Sequence, residues 1–401
     1  MNVLLVEPLN TDALIRFANA CRSMKLQPFL LTATKQKFAE YFPLFEHVFE
    51  IDSLSQDGSE ISDTLSNLCF KGVIPCSEFS VEISDNLAAR LSLPHNNLEK
   101  LESMRDKHTM RKNFSLAGIP QPKIYAHIKN HDGLEKLTQA NTHLKFPVIV
   151  KPVDLASSTL VKQCFDWLEI RSQIEKILDY RRSIYTNINF RGQALVEEFI
   201  EGPEFSIEGI IDNNKVAFYS ITKKVVSPLP YCDEVGQIVG LPYSDKFHAA
   251  AVILLTNVAQ SWKMTAGCIH AEFKLGQQGL QLIEAAARIP GDFIADLIEL
   301  RWGVSLESAL IAARCSILEE KAYKTSSARQ RIVGIRHLFS DNLQPLLPKK
   351  AKVIRERREN KESKNEIPYS VANRVGFIII GFDKMSLDCK KFFGLNSIEI
   401  P

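Results

Sequence analysis

Two glutamates near the middle of the chain have the spacing that most strongly suggests chemistry. Glu272 lies in the run His-Ala-Glu-Phe, and Glu284 begins the run Glu-Ala-Ala-Ala-Arg that ends at Arg288. Apolar flanks and a glycine-rich connection predict two adjacent strands. Burying two carboxylates side by side is costly unless a cation lies between them, and magnesium with phosphate oxygens suits such a pair. Arg288 would bring a forked cation to the same phosphates. The alternative is a pair of exposed strand acids.

A second group of charged residues consists of lysines beside apolar runs. Lys151 closes the run Phe-Pro-Val-Ile-Val-Lys, where an unpaired lysine would be out of place. Lys107 follows an aspartate in a helical pattern, and Lys223 and Lys224 end an apolar run that begins at residue 217. Each lysine alone is more typical of a side chain whose ammonium group reaches the surface. Together with the acid pair, the lysines predict a site for a triphosphate and its metal ions.

The third feature is the segment 196–209, which reads Val-Glu-Glu-Phe-Ile-Glu-Gly-Pro-Glu-Phe-Ser-Ile-Glu-Gly. Glycine and proline at positions 202 and 203 predict a turn between two strands. An extended strand with free backbone groups can hydrogen-bond the edge of an adenine ring. Glu204, just past the turn, would hold ribose hydroxyl groups with its carboxylate. By itself, the segment is equally consistent with a hairpin that has a polar edge.

The first hundred residues alternate short apolar runs with amphipathic stretches. The runs predict strands at 2–6, 28–32, 47–51 and 73–76, and helices at 12–24 and 84–93. This β-α-β order is typical of an open, mostly parallel sheet covered by helices. A Gly-x-Gly-x-x-Gly motif does not follow the first strand, which argues against a dinucleotide site.

Beyond residue 97 the pattern predicts further strands and helices. The helices are expected at 97–117, 247–264 and 305–313, and the strands at 146–151, 160–164, 195–200, 205–211, 216–221, 271–275, 281–284, 331–339 and 374–382. The charged segment 349–366 interleaves glutamates with its lysines and arginines and lacks aromatic residues. It is therefore interpreted as a solvated loop or lid edge and not as a nucleic-acid patch.

The composition narrows the class of protein. The 401 residues carry 49 Lys and Arg against 47 Asp and Glu, a formal net charge of +2, which gives no support to nucleic-acid or membrane partners. The longest apolar runs, 249–255 and 375–382, are far shorter than the ~20 residues that cross a bilayer, and the start does not resemble a secretion signal. Eight scattered cysteines suit a reducing compartment, so a cytoplasmic location is expected.

The order and spacing of these motifs resemble the ATP-grasp superfamily over nearly the whole chain. Segments 105–107 and 117–120 are similar to the helix whose lysine reaches ATP phosphates, and 147–152 is similar to the strand with the second phosphate lysine. The resemblance implies an α/β ATP-grasp fold. Residues 1–100 would form a Rossmann-like pre-ATP-grasp domain, 101–325 a two-lobed α+β domain (lobes about 101–195 and 196–325), and 326–401 a small β-rich extension.

The same resemblance implies roles for individual residues. ATP contacts are expected from Lys107, Lys151, Ser157, Ser158, Glu197, Glu198, Phe199, Ile200, Glu204, Lys224 and Leu282. Glu272 and Glu284 would bind magnesium, with manganese as a substitute. Arg288 and the Gly291 amide would stabilise an oxyanion. The candidates for substrate contact are Glu234, His270 and Asp292, of which Asp292 could instead cap the next helix and Glu234 or His270 could act as a base.

Within the superfamily the chain is most similar to L-amino acid ligases that make dipeptides. Glu-x-Ala-Ala-Arg is common there at the second metal strand, whereas most relatives carry asparagine where this chain has Ala286. A second departure is the loop after Lys151, where Leu155, Ser157 and Leu160 stand at positions that are commonly glycine.

The resemblance implies an ATP- and magnesium-dependent ligase. A carboxylate, expected to be that of an amino acid, would be activated as an acyl phosphate and joined to an amine. The expected partners are small-molecule substrates and a second copy of the chain in a homodimer. Two alternatives remain at this point: a purine-biosynthesis ligase or carboxylase of the same fold, and a nucleotide-binding pseudoenzyme.

Overall fold

The structure is a computed structural model that describes residues 1–139, 144–181, 188–227, 232–317, 320–325, 331–339, 345–358, 373–395 and 401. Its strands form two four-stranded sheets and one eight-stranded sheet. No helix within these ranges is both long and apolar enough to span a bilayer.

The N-terminal sheet is parallel and has the order β3-β2-β1-β4. Its strands are β1 (Asn2–Val6), β2 (Gln27–Thr32), β3 (Val48–Glu50) and β4 (Phe70–Pro75), with helices α1 (Thr11–Ser23), α2 (Lys35–Phe38), α3 (Ser59–Ser66) and α4 (Val81–Arg90). This confirms the predicted open α/β sheet. The chain leaves β1 towards β2 on one side, and β4 lies on the other side. A crevice therefore opens where the loops after β1 and β4 diverge.

The middle of the chain forms a small antiparallel sheet with the order β5-β8-β6-β7. Its elements are α5 (Lys107–Leu116), β5 (Ile124–Ile128), α6 (His131–Gln139), β6 (Val148–Pro152), β7 (Lys162–Cys164), α7 (Trp167–Asp179) and β8 (Ala194–Glu198). The predicted single helix over 97–117 is wrong in its first half, where two 3-10 turns precede α5. Asp106 caps α5 by accepting a hydrogen bond from the Thr109 amide at 2.8 Å, because a short carboxylate satisfies a free N–H of the first turn.

The large sheet has the order β13-β12-β9-β10-β11-β14-β16-β15. Its strands are β9 (Glu204–Asp212), β10 (Lys215–Val226), β11 (Glu234–Val239), β12 (Gly267–Gly276), β13 (Gly279–Ala286), β14 (Ile332–Phe339), β15 (Lys352–Arg358) and β16 (Arg374–Phe382). The associated helices are α8 (Asp245–Ser261), α9 (Ile294–Trp302), α10 (Leu306–Arg314) and α11 (Leu387–Phe393). Apolar cores lie on both faces of this sheet.

The C-terminal strands depart from expectation in two ways. β14, β16 and β15 are not set apart as an extension of their own but continue the large sheet, while the predicted domain boundaries stay a prediction. Part of the charged segment that was predicted to be a loop is the strand β15, while 359–366 lies outside the described residues. β15 is an edge strand, and its exposed Lys, Arg and Glu side chains are what protects such an edge from pairing with another chain.

Candidate functional site

A cavity lies between the small sheet and the large sheet. Among the predicted site residues, its lining includes Lys107, Lys151, Ser157, Ser158, Glu197, Glu198, Phe199, Ile200, Glu204, Glu234, His270, Glu272, Glu284, Arg288, Gly291 and Asp292. The residues come from α5, from two strands of the small sheet (β6 and β8), from four strands of the large sheet (β9, β11, β12 and β13), and from the loops between elements. The fold thus brings together almost all the side chains singled out in the sequence.

The acid pair is set by the register of β12 and β13. Glu272 lies directly opposite Glu284, and Phe273 lies opposite Leu282, so Ile283 is an extra residue in β13. This bulge changes which side chain faces the cavity. Ile283 lines the cavity, whereas Leu282 is fully buried in the main core. Ile283 therefore takes the cavity-facing position in place of Leu282, and contact between Leu282 and ATP stays a prediction.

Lys107 and Lys151 both reach the cavity from buried positions. Lys107 Nζ lies 3.0 Å from Glu284 Oε1 and donates to the Leu155 carbonyl at 2.6 Å. Burial lowers the pKa of Lys107, but nearby Glu284 and Glu78 more than offset this, so the pKa ends above its ordinary value. Burial lowers the pKa of Lys151, and Glu197, 2.7 Å away, offsets this only in part. Both ammonium groups could be released to phosphate oxygens.

Glu197 is held by an arginine that the sequence analysis did not single out. Arg111, fully buried in α5, donates to both Glu197 oxygens, at 2.8 and 3.2 Å. It also donates to the carbonyl oxygens of Leu282 at 3.1 Å and Ile283 at 2.6 Å. Burial alone would raise the pKa of Glu197, but Arg111 and Lys151 lower it to about 2. Arg111 therefore connects the small sheet to the strand that carries Glu284.

The expected nucleotide segment follows β8. Glu198, Phe199 and Ile200 line the cavity between β8 and β9. Glu204, at the start of β9, lies 3.7 Å from Lys274 Nζ, and burial raises the pKa of its carboxyl group. A connection between strands that lines the cavity beside a carboxyl group suits a nucleoside, with the Glu204 oxygens available to hydroxyl groups.

Lys224 differs from its predicted position. It is 1% exposed and does not belong to the described lining of the cavity. Its ammonium group contacts Glu272 and lies 2.5 Å from Glu234 Oε1. Burial lowers the pKa of Lys224, but these acids raise it well above the ordinary value. Lys224 thus neutralises the metal-ligand candidate Glu272, and its contact with an ATP phosphate stays a prediction.

His270 is fixed between two carboxylates. Its Nδ1 lies 2.9 Å from Glu208 Oε1, and its Nε2 lies 3.0 Å from Glu272 Oε1. Burial opposes the charged ring, but hydrogen bonds to Glu208 and Glu272 raise the pKa of His270 overall. With both ring nitrogens beside carboxylate oxygens, neither is free to face an amine, which argues against His270 as its base.

The loop after Lys151 has the backbone conformation that glycine would favour. Ser157, Ser158 and Leu160 adopt φ values of +57°, +52° and +58°. These three residues therefore adopt a left-handed conformation without glycine, which costs conformational energy because of their Cβ atoms. Ser158 donates to the Cys232 carbonyl at 3.3 Å, and Ser157 is exposed at the junction with a second cavity.

The second cavity, of about 610 Å³, lies at the crevice of the N-terminal sheet. Its walls include the loop after β1, the loop after β4 and the start of α9. It shares Ala156, Ser157, Arg288, Gly291 and Asp292 with the first cavity. A molecule in the second cavity would therefore meet a nucleotide in the first one at Arg288 and Gly291.

Arg288 is oriented from the N-terminal sheet. Glu78, just after β4, accepts a hydrogen bond from Arg288 Nε at 2.6 Å, and the Ile289 carbonyl accepts one from Nη1 at 3.0 Å. Burial lowers the pKa of Arg288, but Glu78 raises it above the ordinary value. The carboxyl ends of parallel strands are where functional side chains gather, and this rule could have identified Glu78 from the sequence.

Asp292 lines both cavities, and its carboxylate is bound by an arginine from β16. Arg374 Nη1 and Nη2 lie 2.7 and 3.0 Å from its two oxygens. The alternative role as a helix cap is wrong, because Phe293 occupies the N-cap of α9 and Asp292 precedes it. Contact between Asp292 and a substrate stays a prediction. Nothing in the local sequence pattern indicates Arg374, which is 82 residues away.

The residues present fit magnesium. Glu272 and Glu284 offer hard oxygen donors from opposite positions of one ladder, and Lys107 and Lys224 balance their charge. Within the described ranges, His, Cys, Asp and Glu side chains do not form a group of three or more that could bind a metal alone. Phosphate oxygens would have to supply the remaining ligands, as is usual for magnesium bound with a nucleotide.

Comparison with known proteins agrees with this geometry. The family model for an ATP-grasp domain matches residues 144–296. An L-arginine-specific L-amino acid ligase of Bacillus subtilis is 25% identical over 67% of this chain and 66% of its own length. Dapdiamide A synthase of Enterobacter agglomerans is 27% identical over 61% of this chain and 56% of its own. The matches thus span less than two thirds of both relatives.

The structural comparison covers more of the chain. The crystal structure of an L-amino acid ligase from Bacillus licheniformis superposes with a TM-score of 0.77, over 98% of this chain and 96% of that one, at 20% identity. At this identity the likeness establishes the fold. It includes the C-terminal strands that lie outside the family match.

Proposed function

We propose that this chain, whose residues 144–296 match the family model for an ATP-grasp domain, is an ATP- and magnesium-dependent ligase that joins the carboxylate of an amino acid to an amine. The observation that carries the proposal is the meeting of two cavities at Arg288 and Gly291. One cavity has two lysines and an acid pair for a metal nucleotide. The other is large enough for a small substrate and opens beside the same arginine.

In the proposed reaction, a carboxylate oxygen attacks the γ-phosphorus of ATP, ADP leaves, and an acyl phosphate forms. An amine nitrogen then attacks the acyl carbon, phosphate leaves, and the nitrogen loses a proton. Bound magnesium would neutralise charge on the phosphates. Lys107 and Lys151 would bind phosphate oxygens, while Arg288 and the Gly291 amide would stabilise the oxyanion of the addition step.

The substrate class is supported by the walls of the second cavity and by the relatives. Arg288 could bind the carboxylate, and the cavity, of about 610 Å³ in all, would also accept an amino-acid side chain. Two relatives have names that specify amino-acid substrates: an L-arginine-specific L-amino acid ligase and an alanine–anticapsin ligase. Glu234 remains the candidate base, since both ring nitrogens of His270 already face carboxylate oxygens.

The test is phosphate release from ATP with magnesium, across amino acids supplied singly and in pairs, with mass spectrometry of the products. Release in particular pairs, with a matching dipeptide mass, would support the ligase. Glu284→Gln should lower ADP formation by more than about 100-fold, because a metal ligand contributes several kcal/mol. Exposed Glu99→Gln is the control. A flat matrix, or full turnover by the Glu284 variant, would contradict the proposal.

A further inference from the structure

The turn between β13 and α9 has a strained backbone at the junction of the two cavities. Gly291 and Asp292 line both cavities. Asp292 and Phe293 follow each other with φ values of +53° and +64°, a left-handed conformation that residues with a Cβ rarely adopt. Such a turn persists only if surrounding contacts hold it.

Two side chains of β16 make those contacts. Arg374 binds both oxygens of Asp292, at 2.7 and 3.0 Å, and donates to the Glu234 carbonyl at 2.9 Å. The rings of Phe293 and Phe377 lie with their centroids 4.4 Å apart. The Arg374 side chain is 12% exposed, and its planar fork suits a two-point contact that fixes the carboxylate in direction as well as distance.

The position of this turn matters for any substrate at the junction. Arg288 and Gly291 are separated by two residues, and both line the two cavities. A change at Asp292 would therefore move the Gly291 amide relative to a carboxylate held near Arg288. Three of the proposed nucleotide contacts lie on other elements, since Lys107, Lys151 and Glu197 belong to α5 and the small sheet.

We infer that Arg374 is a positioning residue of the proposed ligase: it holds the Gly291–Phe293 turn in its left-handed conformation and so sets the Gly291 amide at the junction of the cavities. The inference rests on the proposed function. It gives the C-terminal strands a part in the reaction, although they lie outside the matched ATP-grasp domain. The rival explanation is that the Asp292 carboxylate itself binds substrate and Arg374 only neutralises it.

The first measurement compares Arg374→Met with the unaltered chain. We expect kcat/KM for the carboxylate substrate to fall at least about tenfold, whereas the Kd for magnesium-ATP stays within about twofold. A purely structural defect would lower both, together with the thermal unfolding midpoint. Ile379→Val, at a fully buried position of the same strand, is the control for loss of stability without loss of activity.

The second measurement separates the two explanations at position 292. Alanine and glycine both lack the carboxylate, but only glycine adopts φ near +53° without strain. If Arg374 holds the turn, Asp292→Gly should be at least about tenfold more active than Asp292→Ala. Arg374→Met should then cost less than about threefold in the Asp292→Gly background. Equal, low activity of both variants would overturn the inference in favour of a substrate-binding carboxylate.

The outcomes distinguish this inference from the proposed function. An unaltered chain that ligates no pair of amino acids refutes the function. An active chain whose kcat/KM is unchanged by Arg374→Met refutes the inference alone. Hydrogen exchange at residues 289–293 adds a readout that needs no turnover. Exchange should accelerate in Arg374→Met and stay unchanged in Ile379→Val. Equal protection in these two variants and the unaltered chain would also refute the inference.

Discussion

Replacing Arg111 by methionine should weaken nucleotide binding as well as the fold. Arg111 is fully buried and makes two contacts with Glu197 and two with the carbonyl oxygens of Leu282 and Ile283. Methionine fills similar space but removes all four hydrogen bonds. Glu197 Oε2 and the Ile283 carbonyl would keep Lys151 as a donor, whereas Glu197 Oε1 and the Leu282 carbonyl would lose theirs. The contacts join the strand of Glu197 to the strand of Glu284, so their loss should loosen the nucleotide cavity from both sides.

The magnitude follows from the partners that remain. Removing one member of a buried ion pair costs about 3–5 kcal/mol. Lys151 stays 2.7 Å from Glu197 and still balances its charge. The loss of the Arg111–Glu197 pair should therefore cost an amount near the lower end of that range. Each carbonyl left without a donor adds about 1–3 kcal/mol unless water reaches it. We therefore expect a loss of about 4 kcal/mol in the free energy of unfolding, and at least about a tenfold rise in the Kd for magnesium-ATP.

The matched control is Arg314→Met. Arg314 is 1% exposed, pairs with Asp85 at 2.6 Å and donates to the Val73 carbonyl at 3.3 and 3.2 Å. It joins α10 to the N-terminal sheet, away from the nucleotide cavity. Its loss should cost similar stability in denaturant titrations and leave the Kd unchanged when measured by calorimetry on folded protein. Equal Kd values for the two variants would refute the reasoning about Arg111.

Two further changes test local features around the small sheet. The rings of His108 and His127 lie 3.8 Å apart, and burial lowers the pKa of His108 to about 4, below its unfolded value near 6.5. The folded state therefore binds fewer protons than the unfolded state, and the free energy of unfolding should fall as the pH drops from about 6.5 towards 4. Denaturant titrations across this range should show a smaller fall in His108→Gln. An identical fall in both proteins would contradict a lowered pKa of His108. Ser157 has a φ of +57°, so Ser157→Gly should be about 1 kcal/mol more stable than Ser157→Ala; a less stable glycine variant would mean that the loop is not left-handed.

Local motifs identified most residues of the proposed nucleotide site. Lys107, Lys151, Glu197 and the pair Glu272 and Glu284 each lie in a run whose pattern predicts a helix or strand, and all line one cavity. Such residues can be recognised because the spacing within one element already fixes the direction of their side chains. Arg111 follows Lys107 by four residues in α5, so the helical period could have suggested it as well.

Other features were decided by tertiary contacts. One extra residue in β13 places Ile283, and not Leu282, at the cavity wall. Ion pairs with Glu234 and Glu272 hold the ammonium group of Lys224 in a buried position. Arg374 reaches Asp292 only because β16 adds to the same sheet, across 82 residues of chain. The sequence by itself determined which chemical groups are present and which elements carry them. Their final partners depended on strand register and sheet order, because those are set by burial and pairing between segments that are distant in the chain.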